Sequence, residues 1–452
     1  MNSLVVMIFG VTCLGAGYFF YGRIIEKVWA VDPDRKTPAH EFTDGVDYVP
    51  ARHWTVLFGH HFASIAGAGP IIGPVIAAAM WGWLPALLWI IIGSIFVGAV
   101  HDFSALILSL RHQGRSIGDV AESVIGYRTK MLLCSFLWLT LVLVIAVFAA
   151  VAGNTLASKP QVVIPTFGLI PVAYLVGLML YRWKLNQIAA TLIGVSCLFA
   201  LIYWGYHVPV DIKQLGQLSQ SVLINTAGQN VGAWIIVRLV YCYNILGQAA
   251  GVWTIVLLIY AYIASVMPVN ILLQPRDYIA TFVLYFGLLF GFLGLLITRP
   301  LMNAPAFISY QAKGGPLWPM MFVIVACGAV SGFHSLIAAG TTSKQLALKK
   351  DARKIGYGAM ILEGVLALLA MICVTAGLYW VKTEGVADNL VYPLLMKKNN
   401  WILAFGEGYG QITKPLFGVF GTLIAITTLK TFVMTTLDSA TRIGRYVTEE
   451  LL

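Results

Sequence analysis

Apolar runs of membrane-crossing length recur eleven times along this chain, at 3–21, 56–80, 83–108, 131–152, 165–181, 188–205, 250–267, 278–297, 318–340, 355–379 and 414–437. A helix needs roughly 20 apolar residues to cross the hydrocarbon core of a bilayer. Only 11% of the 452 residues are charged and 59% are hydrophobic, with a mean hydropathy of +0.83; a soluble domain is about a quarter charged. The period-two alternation of an outer-membrane barrel is absent. The expected fold is therefore all-α and polytopic, with about eleven transmembrane helices.

The net charge of +10 would suggest a nucleic-acid partner in a soluble protein. Here the basic residues sit in short loops between apolar runs, where they set topology, and no nucleic-acid partner is expected. With the N-terminus outside, loops 22–55, 109–130, 182–187, 268–277 and 341–354 and the tail 438–452 hold 19 Lys and Arg. The opposite side holds 9, and Lys430 lies within the last span. Loop 344–354, "KQLALKKDARK", weighs most. The orientation expected is N-terminus out, C-terminus in. The first run has no charged n-region and no cleavage site before Tyr21, so it reads as a retained span. Segment 233–249, "AWIIVRLVYCYNILGQA", is short and carries Arg238; an interfacial or re-entrant helix is expected there. Six cysteines are scattered without a C-x-x-C, which indicates neither a disulfide framework nor a zinc site.

Residues 59–74, "GHHFASIAGAGPIIGP", make a poor membrane helix. Pro70 and Pro74 lack amide hydrogens and free the carbonyls of Ala66 and Pro70. Gly67, Gly69 and Gly73 permit unwinding and a ligand's approach to the backbone. Irregular backbone at membrane depth survives where protein buries it or a watery cavity meets it. The half-helix beginning near Pro70 would aim its amide ends at the midplane, a setting for a carboxylate. A plain proline kink packed by small residues accounts for the same stretch. A second interruption tips the balance: Pro268 and Pro275 break the apolar run in "SVMPVNILLQPRDY". Each interrupted segment opens a group of five spans, and the two groups start on opposite sides. Paired broken helices in inverted halves mark the binding site of secondary transporters. The expected organisation is an N-terminal helix and cytoplasmic loop (1–55), a first inverted repeat (56–205), an extracellular connector (206–249), then a second repeat with a cytoplasmic tail (250–452).

Ionisable residues inside spans are candidates because their burial is costly. His60 and His61 open the first broken span, one turn before Ser64, and are expected near the cytoplasmic mouth, as a gate or as interfacial residues bonded to backbone. Ser331, His334 and Ser335 share about one turn of "ACGAVSGFHSLIAAGTT", with His334 deep in its span. Glu363 is a further buried acid in "ILEGVLALL". Lys430 shares a face with Met434 and Asp438, beside a stripe of Thr427, Thr431 and Thr435; it either takes part in coupling or pairs with Glu363 or Asp438 to neutralise charge. His101 and Asp102 close a span and read as an interfacial capping pair rather than a proton relay. Arg276 and Asp277 read as a topology and latch pair at the cytoplasmic gate.

The stretches "HHFASIAGAGPIIGP", "GAVHDF", "QPRDY", "ACGAVSGFHSL" with "GTTSKQ", and "TTLDSATR" closely resemble signatures of the carbon starvation protein A family. The resemblance runs through essentially the whole chain in order. It implies the five-plus-five inverted-repeat fold of the amino acid–polyamine–organocation superfamily, a bacterial inner-membrane location, and uptake of short peptides or pyruvate coupled to protons. Residue by residue, it implies substrate contacts at Ser64, Gly67, Ala68 and Gly69 and at Ser265, Pro268 and Asn270. It implies ion coupling at Ser331, His334 and Ser335, beside the first broken helix. Many members continue past the "LDSATR" region, so the chain is either a compact member or a piece of a longer protein. The reading is thus a transporter and not an enzyme, with a small-molecule substrate, the bilayer as its surroundings, and no cofactor beyond a proton or sodium ion. The alternatives are a membrane redox subunit holding haem between His60 or His61, His101 and His334, and a non-transporting starvation sensor or scaffold. Oligomeric state, and the choice between peptide and pyruvate, stay open.

Overall fold

In a bilayer core every backbone polar group needs a partner within the chain, and these apolar runs meet that need as helices. The computed structural model describes residues 1–32, 36–212, 249–397 and 401–452. Its principal helices, in chain order, are α1 (Ser3–Val28), α2 (Trp54–Ile65), α3 (Gly69–Trp81), α4 (Trp83–Arg111), α5 (Tyr127–Ser158), α6 (Pro160–Arg182) and α7 (Gln187–His207). They continue with α8 (Ala249–Val266), α9 (Leu273–Thr298), α10 (Leu317–Ile324), α11 (Gly332–Ile337), α12 (Lys349–Ala376), α13 (Trp401–Ile412) and α14 (Phe420–Leu451). Shorter helices and a two-residue β-hairpin fill the connections. Among the described residues nine helices are long and apolar enough to cross a membrane, or ten if the bent pair α2–α3 counts as one span. The protein is a multi-pass α-helical membrane protein.

Contacts divide the chain into two units. The first comprises Met1–Met131 and Asp277–Phe432. Its central helix is α12, with 89% of its most apolar window buried; α12 packs on α3, α1 and α13. Lipid tails are as apolar as leucine, so close fit rather than escape from water selects such packing. Val374 and Leu378 close a cluster with Val75, Tyr392, Leu395 and Ala404, pinned by the Tyr392 hydroxyl donating to the Val75 carbonyl at 2.8 Å.

The second unit comprises Leu132–Arg276 and Val433–Leu452. On α5, Leu132, Phe136, Leu139, Leu143 and Val147 are all exposed, and their spacing lines them along one helix face. Such a stripe suits acyl chains. The last carbonyls of α8 have no intrahelical donors, and the buried Arg442 guanidinium supplies hydrogen bonds to Ala264 and Met267 there. Ala173, Ala264, Leu272 and Leu273 form this unit's small core.

Three expectations about breaks change. The run 318–340 is not one helix: α10 ends at Ile324, residues 325–331 are irregular, and α11 begins at Gly332 and continues through a π-helical turn at Ala338–Thr342. The interruption at Pro268 is a turn joining two span-length helices, α8 and α9, instead of a break within one. Pro275 sits in the first turn of α9, where a missing amide hydrogen costs no helical bond. Segment 233–249, apart from its last residue, lies outside the described residues.

Candidate functional site

The first broken helix forms where expected. α2 ends as Ala66 leaves helical geometry (φ −74°, ψ 49°), and α3 starts at Gly69 with Pro70 in its first turn, bent by 44° from α2. The glycines serve a different purpose from the one their permissiveness suggested. None of Gly67, Gly69 and Gly73 adopts a positive φ. A Cβ at Gly69 would lie 2.4 Å from Cys327 Cβ, one at Gly73 would lie 2.5 Å from the Ile324 carbonyl oxygen, and one at Gly98 would lie 2.3 Å from that of Ala329. These glycines clear the ground on which the irregular stretch 325–331 rests. The two breaks of this unit therefore meet.

Five ionisable side chains gather beside that meeting point. His334 of α11 is fully buried, and its Nδ1 lies 2.9 Å from Asp102 Oδ2 on α4. On the other side, His334 Nε2 stands 3.3 Å from Glu363 Oε2 on α12 and 3.6 Å from Cys327 Sγ. The Glu363 contact has ion-pair distance without hydrogen-bond alignment, and the Cys327 thiol lies beside the same carboxylate. Asp102 Oδ1 also approaches His101 Nδ1 at 3.2 Å; Asp102 is buried, whereas the His101 side chain is 39% exposed. A chain of titratable groups thus runs from half-buried His101 through Asp102 and His334 to Glu363. This corrects the reading of His101–Asp102 as an interfacial cap: Asp102 faces inward from the middle of a long helix and holds a histidine of another. Ser331 occupies the N-cap position of α11 without a side-chain cap hydrogen bond, while the Ser335 hydroxyl returns to the Gly332 carbonyl at 2.8 Å.

His60 and His61 are fully buried rather than lying at an aqueous mouth. His60 Nδ1 meets Asp277 Oδ2 at 2.6 Å, and its Nε2 lies 3.3 Å from the Gln345 amide nitrogen. Both ring nitrogens of His60 are thus engaged by side chains of other elements. His61 Nδ1 lies 2.8 Å from the Thr342 hydroxyl, and its Nε2 is buried without a partner among the described residues. Thr281 donates to the Gly59 carbonyl at 2.8 Å, so α2 is tied to α9 as well as to the segment after α11. Ser64 is buried in the last turn of α2, and Gly67 and Ala68 are buried at the break.

Arg276 and Asp277 are not each other's latch. Asp277 holds His60, whereas Arg276 in the second unit forms a buried ion pair with Asp438 and lies over the Tyr260 ring at 5.5 Å. Tyr260 donates to Asp438 Oδ2 at 3.0 Å. Ser265 is buried at the end of α8, and its hydroxyl donates to the Tyr262 carbonyl. Pro268 and Asn270 lie in the following turn, where Asn270 Oδ1 is buried without a partner among the described residues. Lys430 is buried on α14; of its two expected partners, Glu363 meets His334 and Asp438 meets Arg276. Cys327, Thr342, Gln345 and Tyr260 were not legible as site residues. Their types are ordinary in membrane helices, and their partners lie far away in sequence.

Residues 2–383 match the family model described as Carbon starvation protein CstA. The pyruvate/proton symporter BtsT of Escherichia coli K12 is 35% identical over 391 residues, covering 84% of this chain and 50% of its own length. The peptide transporter CstA of Helicobacter pylori 26695 is 32% identical over 501 aligned residues, covering 100% of this chain and 68% of its own length. The peptide transporter CstA of E. coli K12 is 34% identical over 399 residues, covering 86% and 52%. The chain spans between half and about two thirds of the length of these relatives. No solved structure matches it significantly. The chain belongs to the carbon starvation protein CstA family.

Proposed function

We propose that this member of the carbon starvation protein CstA family is a secondary transporter that imports small carboxylate-bearing nutrients, short peptides or pyruvate, by proton symport. The relatives' names supply the substrate classes. The observation that carries the coupling is the relay His101–Asp102–His334–Glu363, three of whose members are fully buried. Burying two carboxylates around one imidazole is costly unless the group shares a cation, and a proton entering at His101 is such a cation. Substrate carboxylate meets the amide ends of α3, with Ser64, Gly67, Ala68 and Gly69 around it. Ser265, Pro268 and Asn270 are carried as substrate candidates by the family resemblance, and Lys430 and Asp438 as coupling candidates by their burial. His60, His61, Arg276 and Asp277 serve as fastenings that break and reform during alternating access. The location is a bacterial inner membrane, with the N-terminus outside, and the halves 56–205 and 250–452 are inverted repeats.

The test is uptake of labelled dipeptide and labelled pyruvate into proteoliposomes, with pH and sodium gradients imposed separately. Accumulation of one substrate under the pH gradient is expected, and His334→Ala abolishes it while the protein stays folded. Full pH-driven accumulation by that variant would remove His334 from the coupling role.

A further inference from the structure

The geometry points to a zinc-binding site formed by Cys327, His334 and Glu363. The donor atoms of these three residues all lie within 4.8 Å of one another. With Zn–S about 2.3 Å and Zn–N or Zn–O about 2.0–2.1 Å, neighbouring ligand atoms of a tetrahedral site stand roughly 3.3–3.6 Å apart. His334 Nε2 lies 3.3 Å from Glu363 Oε2 and 3.6 Å from Cys327 Sγ. Two edges of a zinc tetrahedron are already in place.

The surroundings favour the metal for three further reasons. Asp102 Oδ2 at 2.9 Å from His334 Nδ1 is the carboxylate that a zinc-ligating histidine ordinarily carries on its far nitrogen, and it leaves the Nε2 lone pair aimed at the other two donors. Glu363 is fully buried with the His334 imidazole and the Cys327 thiol beside it, and a buried carboxylate is stabilised by a cation. A thiolate, an imidazole and a carboxylate together make a borderline-soft set, suited to Zn²⁺ rather than to Mg²⁺ or Ca²⁺. Cys327 lies in the irregular stretch 325–331. The thiol proton is released as the metal binds.

Such a site ties the irregular stretch to α12. A bound Zn²⁺ would clamp the second broken helix, and inhibition of uptake by Zn²⁺ is the consequence; that consequence rests on the transport reading, whereas metal binding does not. The experiment is to load the purified full chain with Zn²⁺, desalt it and count zinc by mass spectrometry. About one zinc per chain is expected. Cys327→Ser and Glu363→Gln should each weaken binding at least tenfold, while Cys13→Ser, on a different helix, leaves it unchanged. Co²⁺ loaded into the unaltered chain should give a near-ultraviolet sulfur-to-cobalt charge-transfer band, which keeps the test decisive even where a variant fails to fold. No retained zinc, zinc retained equally by folded Cys327→Ser, or no such band would each overturn the site. Zinc content reports on the site whether or not the chain transports anything, so failure of one reading leaves the other standing.

Discussion

Gly98→Ala adds one methyl group and is expected to be far from silent. The new Cβ would lie 2.3 Å from the Ala329 carbonyl oxygen and 3.1 Å from Met360 Cε. The methionine end can swing aside, but the carbonyl belongs to backbone, and reaching ordinary contact at 3.4 Å means opening the packing of α4 against the stretch 325–331 by about 1 Å. Overpacking of a close-fitted interior costs about 1–3 kcal/mol, and a backbone neighbour puts this site at the upper end. Ala is the better helix former by about 1 kcal/mol, so the net loss expected is about 1–2 kcal/mol. Gly332→Ala is the matched control. Gly332 is exposed at the first position of α11 with nothing within 4 Å of its added Cβ. There the same chemical change should stabilise, by about 0.4–1 kcal/mol, through a less free unfolded chain. Reversible unfolding in mixed micelles measures both. The opposite signs are the diagnostic. A Gly98→Ala protein as stable as the unaltered chain, or equal losses in the two variants, would mean that the second broken helix does not lie against α4. The reasoning that brings His334 to Asp102 would go with it.

Two further substitutions separate buried from exposed charge. Arg276→Met leaves Asp438 buried without its guanidinium and should cost about 3–5 kcal/mol; adding Asp438→Leu should recover most of it, and failure to recover would show that the pair matters by more than mutual compensation. Lys130→Ala removes ion pairs to Asp119 at 2.9 Å and Glu122 at 2.8 Å, near solvent. Its cost should stay below about 1 kcal/mol and shrink with salt, and a loss above about 2 kcal/mol in the same unfolding assay would refute that view.

The class of fold and the first break follow from local chemistry. Apolar runs long enough to cross a bilayer must become helices, because lipid offers a backbone no hydrogen bonds, and Pro70, which has no amide hydrogen for the Ala66 carbonyl, marks the break between α2 and α3, whereas Pro74 lies within α3. His334 and Glu363 were visible for the same kind of reason, since an ionisable group within a span is expensive on its own account. The second break was not visible. "ACGAVSG" contains no proline, and its unwinding depends on Gly73 and Gly98, more than two hundred residues earlier, leaving room for its backbone. Nor could spacing find the partners: Asp102 is 232 positions from His334, and Asp277 is 217 from His60. The sequence by itself determined that the chain folds mainly as apolar helices of membrane-crossing length and which buried groups would be costly. Tertiary structure alone decided which of those groups meet, because hydrogen bonds and ion pairs of 2.6–3.3 Å are made by packing helices that the chain order keeps apart.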